Sequence, residues 1–173
     1  VVGWDFADGD AFPFDARPTG GGTELARTIF SEAPSARLVP VRIDAKKPGS
    51  LTRALAFVGQ TPARIVLLAN GGPGSDDQEA FRLAARHFTR VLFILPATAD
   101  LASAASGLEN ALTVEAAAAL PTKADFVVEP PKSELAPALA AAARAAGAAA
   151  NETARTPALD GAGIKRAMLQ TAR

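Results

Sequence analysis

Apolar residues recur along the chain in two rhythms. Short continuous runs rich in branched side chains occupy residues 37–43, 64–69 and 90–95, each opening after a helix-like stretch or a proline. Runs of that length and character predict parallel strands buried on both faces. Between them, apolar positions fall three and four apart over residues 23–30, 50–58 and 76–88, each preceded by Gly, Pro or Ser, and these segments predict crossover helices. Residues 112–115 and 126–128 are two shorter strand candidates. The final third reads as an Ala-rich helix over 134–149, a polar turn at 151–155 and a last helix over 160–171. Strand and helix alternating in this way predict an α/β fold of three layers, a mostly parallel sheet with helices on both faces.

Composition narrows the partners. The 173 residues run without a composition break, enough for a single domain with a real core. Eighteen basic residues balance 18 acidic ones, so no net field recruits nucleic acid or an anionic membrane surface. Without cysteine there is no disulfide, thiolate metal site or cysteine nucleophile. The longest apolar stretch, 138–150, is interrupted by Arg144 and falls short of the roughly 20 residues that a spanning helix needs, so no membrane span is expected.

Two segments invite ligand readings and fit them poorly. Asp5, Asp8, Asp10 and Asp15 lack the spacing and terminal glutamate of a calcium loop, and predict a solvated acidic turn and no metal site. Asn70-Gly71-Gly72-Pro73-Gly74 lacks the spacing of a phosphate-binding loop and predicts a tight turn, so no cofactor is expected.

A set of motifs in fixed order is more informative. Gly3-Trp4-Asp5-Phe6-Ala7-Asp8-Gly9-Asp10 is followed by Gly21-Gly22-Thr23-Glu24-Leu25-Ala26, by Ala33-Pro34 through Arg42, by Ala69-Asn70-Gly71-Gly72-Pro73, by residues 108–114, by Ser133-Glu134-Leu135-Ala136-Pro137 and by Thr156-Pro157-Ala158 with the closing helix. Over nearly the whole chain this resembles the subtilisin-like serine peptidases, in which these stretches carry the histidine motif, the substrate-pairing strand, the serine motif and the final helix. The resemblance implies a three-layer subtilisin-like domain spanning residues 1–173. The strand with the family's catalytic aspartate is expected upstream of Val1. The family is mostly extracytoplasmic, and the same location is implied here.

Acyl transfer of this kind needs a nucleophile, a base in reach, a carboxylate to orient the base and donors for the oxyanion. By resemblance the histidine position is Gly21, which has no side chain, and the oxyanion asparagine position is Ala99. Glu24 matches the family's second histidine and reads as a first-turn acid favoured by the helix dipole, with a surrogate base as the alternative. His87, the one imidazole in the chain, falls at the end of a surface helix. Only Ser133 keeps the nucleophile position, and a hydroxyl without a base is a poor nucleophile near neutral pH. The residues predict that Ser133 instead caps the Ala-rich helix.

The expected function is a catalytically inactive relative whose Ala69, Asn70 and Gly71 pair with an extended peptide or protein segment, glycine allowing close approach. The alternatives are an active endopeptidase completed by a missing segment, against which Gly21 argues, and a doubly wound domain binding a small ligand at its strand ends.

Overall fold

The computed structural model describes residues 3–15, 21–44, 46–69, 75–97, 103–117 and 124–171. In chain order they form β1 (Trp4–Asp5), α1 (Gly21–Glu32), β2 (Val41–Arg42), α2 (Ser50–Val58), β3 (Ile65–Leu67), α3 (Ser75–His87), β4 (Leu92–Pro96), β5 (Ala111–Ala116), β6 (Phe126–Val128), α4 (Pro137–Arg155) and α5 (Gly161–Thr171). All strand pairs are parallel. They form two sheets, β1-β2 and β3-β4-β5-β6.

Alternation along β4 builds the layers. Leu92 and Ile94 join Leu112, Val114 and Ala116 of β5 against α4 and α5, while Val91, Phe93 and Leu95 face the other way onto Leu51 and Leu55 of α2 and Phe81, Ala84 and Ala85 of α3. Successive side chains of a strand leave on opposite faces, so a run that is apolar at every position must be covered twice. Phe81 meets Phe93 edge to face at 5.5 Å, an arrangement favoured by the ring quadrupoles.

The Ala-rich composition of α4 is explained by its place. The helix runs beneath the four-stranded sheet and carries α1 and α5 on its other sides, so Ala140 to Ala143, Ala145, Ala146 and Ala149 are all buried. Small side chains let backbones approach, and at Gly147 an added Cβ would lie 2.5 Å from Glu32 Cβ and 3.1 Å from Ile29 O of α1.

Element ends differ from the sequence reading for identifiable reasons. The helix predicted over 134–149 begins only at Pro137, because proline suits a first helical position but forces the residue before it out of the α region. Ala136 accordingly sits at φ −55 and ψ 138. The polar turn predicted at 151–155 is helix, since its polar side chains find partners that leave the helix intact: Asn151 Nδ2 donates to Glu32 O at 2.8 Å, Thr153 Oγ1 to Ala149 O at 2.8 Å, and Arg155 pairs with Glu152 at 2.9 Å. Of the strand predicted over 37–43 only Val41–Arg42 pairs, because β1 ends at Asp5, whose Oδ1 accepts from the amides of Ala7 at 2.7 Å and Asp8 at 3.0 Å and turns the chain away.

Candidate functional site

A helix that follows a parallel strand starts at the carboxyl edge of the sheet, and the loop from β6 into α4 brings Ser133 there. Helix α1 lies alongside α4 in the same direction. Near their starts Glu24 meets Ser133, and further along Glu32 meets Arg144 at 2.9 Å and Asn151. Two helix amino ends therefore converge on one spot.

At that spot the Ser133 hydroxyl donates to Glu24 Oε1 at 3.4 Å, across 109 positions of sequence, and accepts from the Leu135 amide at 3.1 Å. Glu24 Oε2 accepts from Arg27 at 2.6 Å. The glutamate side chain is 22% exposed and the arginine 73%, so the group facing Ser133 is a partly covered carboxylate whose counter-ion stands in solvent. A hydroxyl bond to oxygen is ordinarily about 2.7–2.8 Å, which makes this one weak. Gly21 opens the same helix one turn earlier, and among the described residues a Cβ built there meets nothing within 4 Å.

The expected cap is not formed. The N-cap residue of α4 is Ala136, whose side chain makes no cap bond, and Ser133 closes its own short turn through Leu135. The capping carboxylate that sequence reasoning missed belongs to α1: Asp15 Oδ2 accepts from the Thr23 amide at 2.8 Å. Its distance in sequence from the helix hides it from any local pattern.

Ala69 is half-buried just beyond β3, while Asn70, Gly71 and Ala99 lie outside the described residues. His87 is the last residue of α3 and is exposed, its ring 5.0 Å from that of Phe88.

In the acidic opening segment Asp8, Asp10 and Asp15 are exposed, as a solvated turn requires, and Asp5 alone departs from it. Asp5 is only 1% exposed and accepts from Arg42 at 2.7 Å, and the same guanidinium reaches Asp8 at 2.5 Å. Burial pushes the Asp5 pKa up, but the Arg42 hydrogen bond, the amides of Asp8 and Ala7 and the Arg42 charge together outweigh it, so the carboxyl lies below its ordinary value. Arg42 is held more firmly protonated in turn, first by its hydrogen bonds to Asp5 and Asp8. These acids latch β1 to β2, and among the described residues no group of acids and histidines is arranged to hold a metal. No described helix is long and apolar enough to cross a membrane.

No family model matches the chain, and no curated protein matches it.

Proposed function

We propose that the chain is a non-catalytic relative of the subtilisin-like serine peptidases that holds an extended peptide at the carboxyl edge of its sheet, beside Ala69, Asn70 and Gly71. The observation that carries this reading is the meeting of Ser133 with the first turn of α1, which opens at Gly21 without a side chain. The serine named from motif order thus meets the helix that opens at the motif-order base position, and that position lacks a side chain. The group that does face the hydroxyl is a carboxylate already paired with Arg27, at a distance too long for ready proton transfer.

Fluorophosphonate labelling tests the reading, since it requires an activated hydroxyl. The parent protein should label negligibly at Ser133 and leave casein intact. Gly21→His should raise labelling at Ser133 by at least tenfold, and Ser133→Ala should abolish the gain. Stoichiometric labelling of the parent that vanishes in Glu24→Gln would instead make Glu24 a working base. Unchanged labelling in Gly21→His would count against the correspondence of Gly21 with the family's histidine.

A further inference from the structure

Asn151-Glu152-Thr153 is the one triplet of the sequence in which an asparagine stands two residues before a serine or threonine; Asn70 and Asn110 are followed by Gly71-Gly72 and Ala111-Leu112. A triplet of this kind accepts an N-linked glycan and ordinarily belongs to a surface loop, because the transferase must take hold of the free asparagine amide and of the hydroxyl two residues on.

In this chain the triplet is helical. It lies near the end of α4, which runs through Arg155 and is closed by the Thr156 amide donating to Glu152 O at 2.9 Å. Both groups that a transfer needs are engaged within the fold: Asn151 Nδ2 donates to Glu32 O at 2.8 Å, and Thr153 Oγ1 donates back to Ala149 O at 2.8 Å. Both residues are half-buried.

The Asn151 bond has a place in the packing. Glu32 ends α1, and the last carbonyls of a helix have no partner within it, so an amide of α4 caps α1 from outside. Arg144, Gly147 and Asn151 fall three and four apart, on one face of α4. Along that face Arg144 Nε pairs with Glu32 Oε1 at 2.9 Å, and a Cβ added at Gly147 would lie 2.5 Å from Glu32 Cβ. Unwinding the triplet and freeing its amide therefore means parting this end of α1 from α4.

We infer that Asn151 is a glycan acceptor gated by the fold, closed while α1 is docked on α4 and open only when that contact separates. In the transfer, Nδ2 forms a bond to the anomeric carbon of a lipid-linked oligosaccharide, the bond from that carbon to the lipid pyrophosphate breaks, and one amide proton leaves. A docked chain offers that amide to Glu32 O on a helical backbone, so transfer proceeds through local opening and its rate follows the fraction of time the contact is open. The acceptor lies near the other end of α1 from Glu24 and does not depend on the reading given to Ser133.

A purified oligosaccharyltransferase supplied with a lipid-linked oligosaccharide tests this on the whole chain, with a synthetic peptide of residues 147–157 as the unfolded reference and intact mass with peptide mapping as the readout. The peptide should be modified at Asn151, and the folded chain at least about 100-fold more slowly. Gly147→Ala, whose methyl presses on α1, should speed modification of the folded chain about fivefold and leave the corresponding peptide unchanged. Arg144→Ala, which removes the ion pair to Glu32, should act in the same direction. The assignment fails if folded chain and peptide are modified at equal rates, if the peptide is refused, or if both variants keep the parent rate, which would put the gate in fraying of α4 alone.

Discussion

Ser133 shows how a residue's neighbours can reverse the expected effect of changing it. As a helix cap it would lose about 0.5–2 kcal/mol on truncation and tolerate aspartate well. Its hydroxyl instead serves one local amide and a long bond to Glu24. Ser133→Ala should therefore cost no more than about 1 kcal/mol in urea unfolding, the net worth of an ordinary hydrogen bond. Ser133→Asp should be worse than alanine, by a further ~0.5 kcal/mol, because it places a second carboxylate against Glu24. Molar salt should shrink that difference by screening, whereas an aspartate variant as stable as the parent would restore the cap reading. The sequence marked both residues, Glu24 as a first-turn acid and Ser133 by its motif. Their contact was not legible, because it depends on how α1 lies on α4. Asp5 was misread for a related reason: an acidic cluster reads as solvated until its buried counter-ion, Arg42, is placed beside it.

At the scale of elements, three-and-four spacing located α1, α2 and α3, alanine richness located α4, and α2 matches residue for residue. What failed were ends decided by single residues: Pro137 delays α4, and side chains between Asn151 and Arg155 that look like turn formers bond within or beside the helix. Alanine richness likewise reads as helix propensity, although here it also sets how near two helices come. Gly147→Ala separates the roles. Propensity alone favours alanine by about 1 kcal/mol, but the new methyl would press on Glu32 Cβ and Ile29 O, and overpacking costs about 1–3 kcal/mol. The variant should be less stable than the parent by about 1 kcal/mol, whereas Gly21→Ala, whose methyl meets open space, should be neutral or stabilising. Chemical denaturation midpoints compare the pair directly, and a stabilised Gly147→Ala would mean that the α1–α4 contact is looser than described.

For the whole molecule, apolar runs covered on both faces gave the three layers, but periodicity carries no information about which strands are neighbours, and the division into two sheets was invisible in it. That division has a consequence in acid. Asp5 has its pKa lowered in the folded state from an ordinary value of 3.8, so its contribution to stability is complete above 3.8 and is lost as the pH falls from there through the folded value, where the unfolded chain binds the proton first. The loss falls on the β1–β2 latch, and the chain's single tryptophan, Trp4, stands in that sheet at 36% exposure with Phe6 beside it. Trp4 emission should therefore change as the pH is lowered past 3.8, before the far-ultraviolet ellipticity carried by the long helices declines. Asp5→Asn should flatten the emission change in that range, since no carboxyl remains at the buried end of the latch. Because the four-stranded sheet forms no ladder with β1 or β2, the two signals should separate on the pH axis. Emission and ellipticity falling together, in parent and variant alike, would mean that the two sheets unfold as one unit and that Asp5 does not set the acid limit of the smaller one.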